Sequence, residues 1–390
     1  MDTHEKYILR CIELAKNGLG TTYPNPLVGS VIVYNDTIIG EGWHYKAGQP
    51  HAEVMALRDV ASNGASAVGS TAWVTLEPCS HHGRTPPCCD ALIGAKVARV
   101  VVATGDPNPR VAGQGVARLR AAGVQVDVLP ADDATAQAAR ELNIGFFSRM
   151  IRGLPWVRMK IAASLDGITA LPDGQSQWIT GEAARADGHA WRARACAVLT
   201  GIGTVREDDP MLDVRHVPVQ RQPHLVVVDS RLETPVGARL FEPAAQGLTR
   251  QVWIAHAVRD ADREHALNAR GAQLLHLPGA GDKVDLPALM RALAAREVNE
   301  LHVEAGHKLN GSLLREGLVD EWLAYLAPML LAQGAGWSAQ AAPIALADAP
   351  RWRFTATRAL GDDLCVQMRG HKCDAFLSEQ PQAKAASSTN

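Results

Sequence analysis

The chain has 390 residues, 47% hydrophobic and 21% charged, with a formal net charge of −2, the profile of a globular protein of two or three domains, each able to bury a core. Charge is even along it, with 12 Lys+Arg against 14 Asp+Glu up to residue 147 and 27 of each beyond, which argues against the basic surface of a nucleic-acid binder. No run of ~18 apolar residues offers a membrane span, the first residues lack a basic-then-apolar leader pattern, and seven scattered cysteines fit reduced thiols and a cytoplasmic setting better than a disulfide framework.

In chain order, Ile8, Cys11, Ile12 and Ala15 recur at helical spacing and predict an amphipathic helix ending near Gly18. Tyr23-Pro24-Asn25-Pro26 must be a loop. Asn25 there is either a turn residue or an amide able to hydrogen-bond a polar heterocycle. Val28 to Tyr34 and Thr37 to His44 read as a hairpin over Asn35-Asp36. A helix from His51 runs through Met55, Ala56 and Val60. Ala72 to Leu76 and Arg99 to Ala103 read as buried strands, Val116 to Gly123 as a helix and Val124 to Leu129 as a short strand. This alternation indicates a layered α/β sheet.

Chemistry concentrates in His51-Ala52-Glu53, answered by Pro78-Cys79 and then by Cys88. One imidazole and two thiolates leave a fourth position open on a tetrahedral zinc, as a catalytic site requires. His-x-Glu followed by Pro-Cys is the pattern of zinc deaminases, in which the Glu moves protons and does not bind the metal; Glu53 suits that role. Cys79 ends a strand-like run, at a strand-to-helix turn where a helix N-terminus favours thiolates. The second cysteine departs from Cys-x-x-Cys spacing, and the adjacent Cys88 and Cys89 compete for one ligand position. His81 and His82 are further candidates, as ligands or as substrate contacts. Singly, each of these residue types is more often a packed or solvated side chain.

Residues 145–156 are punctuated by Gly and Pro, and the domain boundary falls at about 148. That gives a first domain over 1–147, a second over 148–370, and a tail over 371–390 whose composition predicts disorder. The second domain reads as strands 156–163, 196–200, 224–228, 251–255 and 300–305 with helices 182–195, 261–270 and 285–297. Glycines follow two of these strands, in Gly201-Ile202-Gly203-Thr204 and Glu304-Ala305-Gly306, where backbone N–H groups at a helix start can approach a phosphate. Neither matches the dinucleotide fingerprint. Arg192 and Arg215 are candidate phosphate clamps. From its residues alone, this half is an α/β domain able to take a phosphorylated ligand.

The run from Leu76 to Cys88 (LEPCSHHGRTPPC), with His51-Ala52-Glu53 and Pro24-Asn25-Pro26, resembles the bifunctional bacterial riboflavin-biosynthesis deaminase/reductases, which share this cysteine spacing. Lys160 to Gly167, Ser176-Gln177-Trp178-Ile179-Thr180, Thr204 to Pro210, Val228-Asp229-Ser230 and Glu304-Ala305-Gly306 extend the resemblance from about residue 3 to 370. It implies a cytidine-deaminase-like α/β/α zinc domain followed by a dihydrofolate-reductase-like α/β domain. It implies two steps: hydrolytic deamination of 2,5-diamino-6-(5-phosphoribosylamino)pyrimidin-4-one to 5-amino-6-(5-phosphoribosylamino)uracil, then NADPH-dependent reduction of the ribosyl to a ribityl chain.

By the same resemblance His51, Cys79 and Cys88 hold zinc, Cys89 packs, and Glu53 carries protons. NADPH lies against Ala163, Trp178, Thr204, Asp208, Ser230 and the loop at Gly306. The substrate lies against Ser176, Arg192, Leu212, Arg215 and Glu304, with Lys160 and Asp166 beside the sugar. Asn25 and His82 join as substrate-binding candidates of the first domain. His307-Lys308 departs from the family's phosphate loop. The partners implied are phosphorylated pyrimidines, with no nucleic acid and no membrane, and the assembly implied is a homo-oligomer through the reductase domains. Two rival readings make contrary demands: a deaminase of nucleic-acid bases needs a basic groove, and a structural zinc needs a fourth ligand such as His82 or Cys89.

Overall fold

The computed structural model describes residues 3–81, 86–109, 111–341 and 344–378. They form two compact units. One gathers the chain up to Gly153 and takes back 374–378; the other spans Leu154–Cys373.

In the first unit, α1 (Thr3–Lys16) leads into a hairpin of β1 (Gly29–Tyr34) and β2 (Thr37–Trp43). Asn35 and Asp36 both take positive φ, the turn whose twist matches the flanking strands. There follow α2 (Ala52–Ser62), β3 (Thr71–Val74), α3 (Cys88–Gly94), β4 (Arg99–Val102), α4 (Gln114–Ala121), β5 (Gln125–Val128), α5 (Ala134–Leu142) and α6 (Ile144–Arg152). The sheet order is β2-β1-β3-β4-β5, with β3, β4 and β5 parallel and β1 antiparallel to both its neighbours. Alternate residues sort to opposite faces, as the strand period of two requires. Val31, Val33, Trp73 and Val101 pack with Tyr7, Ile8 and Ala139. Ile32, Ala72, Val74, Val100 and Val102 pack with Ala56, Val60, Leu92 and Leu119. The expected three-layer α/β/α arrangement is present. Gly42 lets α2 lie directly on β2: a Cβ there would meet Ala56 N at 2.3 Å, so any side chain would lift the helix that carries Glu53.

The second unit contains β6 (Trp156–Ser164), α7 (Glu182–Arg194), β7 (Ala197–Gly201), α8 (Ile202–Asp208), β8 (His224–Val228), β9 (Val252–His256) and α9 (Ala261–Ala269). It continues with β10 (Ala272–His276), α10 (Leu286–Ala295), β11 (Glu300–Val303), α11 (His307–Arg315), β12 (Glu321–Ala327), β13 (Trp352–Leu360) and β14 (Asp363–Gly370). The sheet runs β10-β9-β8-β7-β11-β6-β12-β14-β13, parallel from β10 to β12 and antiparallel at β14 and β13. The chain leaves β7 for β8 and leaves its neighbour β11 for β12, in opposite directions across the sheet. The carboxyl ends of β7 and β11 are therefore a topological switch point, where open α/β sheets bind ligands.

Two expectations differ from this picture. The boundary expected at 148 falls inside α6, whose buried Ile144, Phe146, Phe147 and Ser148 belong to the first unit. Residues 371–378, expected as disordered tail, are folded: Phe376 is buried, the Arg152 guanidinium lies 5.1 Å from its ring, and Arg140 Nη1 donates to the Leu377 carbonyl at 2.8 Å. One aromatic in a polar tail has no periodicity to announce it. The remainder of the expected tail, 379–390, lies outside the described residues.

Candidate active sites

His51 opens α2 with extended backbone (φ −77°, ψ 171°), and its ring makes no capping bond. Its Nδ1 lies 3.6 Å from Cys79 Sγ and 3.2 Å from Cys88 Sγ. The three ligand atoms fall within 4.8 Å of one another. Tetrahedral zinc with bonds of about 2.0 Å to nitrogen and about 2.3 Å to sulfur has N···S edges of about 3.6 Å, so this donor set fits that ion. Among the described residues no fourth protein ligand joins the cluster; His82, a candidate fourth ligand, lies outside them. Cys89 is turned away, its Sγ donating to the Pro78 and Gly115 carbonyls at 3.4 and 3.6 Å. That separates the two adjacent cysteines that the sequence left competing.

The thiols are tuned by their surroundings. The Cys88 backbone N–H, at the start of α3, donates to Cys79 Sγ at 3.3 Å. The hydrogen bond from the Cys88 thiol, helped by His51, brings Cys79 down to about 4. The same shared proton, with burial, pushes Cys88 up; a divalent cation would deprotonate both. Glu53 is 3% exposed and its Oε2 has no hydrogen-bond partner. Burial pushes its carboxyl up while His51 pulls it down. A buried, unpaired carboxylate oxygen beside an open metal position is what a proton carrier needs.

Two supporting residues escaped the sequence reading. Glu77 is buried, and its carboxylate accepts backbone N–H groups from Asp106 (3.3 Å), Gly113 (2.9 Å), Gly115 (2.9 Å) and Val116 (3.1 Å). It ties the start of α4 beneath the Pro78-Cys79 turn. Gly115 permits this approach, since a Cβ there would stand 1.9 Å from the Pro78 carbonyl oxygen. His44, also buried, places its ring 5.0 Å from that of His51. Burial lowers it to about 4, so it is neutral. Its Nδ1–H donates to the Pro50 carbonyl at 3.2 Å, and its Nε2 accepts from Asn25 Nδ2 at 3.1 Å. This contact fixes the Asn25 amide through its nitrogen. His44 belongs to no short motif, and Glu77, although inside the Leu76–Cys88 run, shows there no sign of its main-chain partners. His82 lies outside the described residues.

In the second unit Glu304 follows β11 into the switch point. Arg192 of α7 meets it with Nε on Oε1 at 2.7 Å and Nη2 on Oε2 at 2.9 Å, and gives Nη1 to the Asp213 carbonyl at 2.6 Å. Lys160 Nζ stands 3.9 Å from Oε2 and His302 Nε2 stands 3.4 Å from Oε1. Burial alone would raise Glu304, but Arg192, His302 and Lys160 hold it well below the usual carboxylate range. Burial lowers Lys160, with Glu304 pulling the other way. In this structure the Arg192 fork is engaged by Glu304 and the Asp213 carbonyl. Arg215, with its side chain 45% exposed and held by Asp213 Oδ1 at 3.2 Å, is the freer arginine. Leu212 turns the loop between them with φ +49°, the backbone strain that gathers at ligand sites.

The remaining candidates line neighbouring strand ends. Thr204 and Asp208 lie on α8, and Gly306 heads α11 without a side-chain cap. A Cβ on Gly306 would come 3.9 Å from Thr204 Oγ1. Ala163 is buried near the end of β6. Ser230 follows β8, its Oγ accepting from Val284 N–H at 3.2 Å. Ser176 and Trp178 sit on the segment between β6 and α7; Trp178 is 68% exposed, with the Arg185 guanidinium 4.8 Å from its ring. Asp166, expected beside the sugar, accepts the Leu331 and Ala332 N–H groups at 3.2 and 2.8 Å and the Ser164 hydroxyl at 2.5 Å. Its carboxylate closes a loop.

No helix among the described residues is long and apolar enough to cross a membrane. Two family models tile the chain: the cytidine and deoxycytidylate deaminase zinc-binding region matches residues 1–104, and the RibD C-terminal domain matches 155–366. The riboflavin biosynthesis protein RibD of Escherichia coli K12 is 45% identical over 380 residues, covering 94% of this chain and 99% of the relative. That of Haemophilus influenzae is 41% identical, covering 92% and 95%. The solved RibD of Acinetobacter baumannii superposes with a TM-score of 0.82 at 40% identity, over 94% of this chain and 99% of that one. A Thermotoga maritima diaminohydroxyphosphoribosylaminopyrimidine deaminase/5-amino-6-(5-phosphoribosylamino)uracil reductase gives 0.82 at 31% identity over the same shares. Matched over more than nine-tenths of its length in sequence and fold, the chain belongs to the RibD family, the bifunctional enzymes of riboflavin biosynthesis that join a zinc-binding deaminase to an NADPH-dependent reductase.

Proposed function

We propose that the two sites act in sequence on one phosphorylated pyrimidine. The first converts 2,5-diamino-6-(5-phosphoribosylamino)pyrimidin-4-one to 5-amino-6-(5-phosphoribosylamino)uracil and ammonia; the second reduces the ribosyl group to ribityl. The observation that carries the reading is the His51, Cys79 and Cys88 cluster beside the unpaired Oε2 of Glu53. These three residues hold zinc, which when bound supplies the Lewis acidity that makes water a nucleophile near neutral pH. Glu53 takes the water's proton and returns protons to the ring nitrogen and the leaving amine. Asn25, fixed by His44, offers its amide oxygen to the ring.

In the second unit NADPH supplies the hydride, bound by Ala163, Trp178, Thr204, Asp208, Ser230 and Gly306. Uncapped N–H groups at the start of α11 suit its phosphates. Ser176, Leu212 and Arg215 take the phosphosugar. Lys160 and Glu304 border its opened C1 carbon, and Arg192 holds Glu304 in place. No disulfide joins the seven cysteines, in keeping with a cytoplasmic enzyme. Exposed Leu330, Leu346 and Phe354 on the reductase unit favour assembly with further copies.

The test is NADPH oxidation by zinc-loaded protein given only the diaminopyrimidine substrate. Oxidation should vanish in Glu53→Ala and return when the deaminated compound is supplied. Ammonia release without NADPH loss in the wild type would refute the reductase assignment. Absence of both in metal-replete protein would refute the deaminase assignment.

A further inference from the structure

The loop that carries Leu212 and Arg215 is held from three sides. Arg192 donates to the Asp213 carbonyl at 2.6 Å. Gln222 clamps Val214 through both its N–H (2.7 Å) and its carbonyl (3.0 Å). The third hold is His189 of α7, 6% exposed and one helical turn before Arg192 on the same face. Its Nδ1 accepts the Arg215 backbone N–H at 3.3 Å, and its ring stands edge-on to that of His216, centroids 4.5 Å apart at 80°. Neither family motifs nor the sequence reading singled out this histidine.

We infer that His189 is a positioning residue for recognition of the phosphorylated end of the sugar: by holding the Arg215 main chain and backing His216, it fixes where the Arg215 guanidinium meets the phosphate. The inference rests on the proposed role of Arg215. Only a neutral ring with its proton on Nε2 can accept at Nδ1; an imidazolium would set N–H against N–H. The surroundings enforce that form. Burial, then Arg192, His216 and Arg215, lower His189 to about 3, with only Glu304 opposing. The hold therefore does not titrate near neutrality, and its effect must appear as geometry.

The experiment measures steady-state reduction of the deaminated substrate with and without its 5-phosphate, using the full zinc-loaded chain. His189→Leu removes the acceptor at similar volume. His189→Asn returns an acceptor near the Nδ1 position, and His189→Gln places one near Nε2 instead. His189→Leu should raise KM for the phosphorylated substrate by about 5- to 10-fold, the loss of one buried hydrogen bond. kcat and the KM for NADPH should stay within about twofold. On the unphosphorylated substrate it should match the wild type. His189→Asn should recover the KM and His189→Gln should not, a comparison that stands even if the leucine variant fails to fold.

An equal loss on both substrates, or no difference between Asn and Gln, would overturn the inference. Arg215→Ala in the otherwise native chain separates the two claims. If it too leaves the preference for phosphate untouched, the assignment of Arg215 is wrong; if it abolishes the preference while His189→Leu does not, only the role of His189 is.

Discussion

Arg192 and Glu304 meet in a two-point ion pair, 2.7 and 2.9 Å, at the carboxyl edge of the reductase sheet. Nearly all of both side chains is buried, so breaking the pair from one side strands a charge. Arg192→Ala should cost about 3–5 kcal/mol, as uncompensated buried charges do. Arg192→Lys should recover part of that stability but not the two-point geometry. Both variants should lose NADPH oxidation while ammonia release continues, because Arg192 makes its contacts within the reductase unit. Urea unfolding and the two activity assays on one preparation check this.

Adjacent cysteines divide cleanly. Cys88 Sγ faces His51 Nδ1 at 3.2 Å, whereas Cys89 Sγ points at two main-chain carbonyls and burial pushes its thiol up to about 12. Cys88→Ser should lose bound zinc and deamination together. Cys89→Ala should keep both, at a cost of about 1 kcal/mol for a small cavity. Zinc content by metal analysis, set against ammonia release, distinguishes them.

Much of the deaminase site was legible because its chemistry is compressed into motifs: His51 and Glu53 share one helix start, and Cys79 and Cys88 flank one loop. The hairpin over Asn35-Asp36 and the helix over 182–195 were legible for local reasons, turn chemistry and periodicity. What escaped depends on partners distant in sequence. Glu77 reaches N–H groups some 36 to 39 residues on, and no pattern around it says so. β12 pairs with β6 across more than 150 residues, and its apolar run Glu321–Ala327 has no clean alternation because both faces are buried. The surroundings of Arg192 were hidden for a related reason. A sequence shows a guanidinium but not the carboxylate, 112 residues away, that occupies it.

Glu77 gathers four backbone N–H groups, and a neutral amide cannot accept them all. Glu77→Gln turns one acceptor oxygen into a donor facing N–H groups, which should destabilise by about 2–3 kcal/mol and loosen the turn bearing Cys79. Gly115→Ala attacks the same junction sterically, at the Pro78 carbonyl. Both variants should release zinc faster to a chelator than wild type. Glu13→Gln, on an exposed helix face, should not. The rate of chelator absorbance change at fixed temperature is the readout.

Acid should unfold the reductase unit through Glu300. Burial would raise this carboxyl, but Arg194 at 2.8 Å and Arg158 at 3.0 Å bring it down to about 2. In the unfolded chain a glutamate titrates near 4.3, roughly. A folded pKa below the unfolded one means the folded state resists protonation. The contribution is therefore fully present above about pH 4.3 and is lost as pH falls towards about 2, amounting to about 3 kcal/mol by linkage. Glu321, also lowered against burial by Arg158 and Arg369, adds in the same direction. Glu300→Gln should cost stability at neutral pH and flatten the decline between about pH 4.3 and 2. Peptide-resolved hydrogen exchange over β6 and β11 across that range follows this unit apart from the deaminase. A wild-type protection profile that stays level down to pH 2 would remove Glu300 from the account.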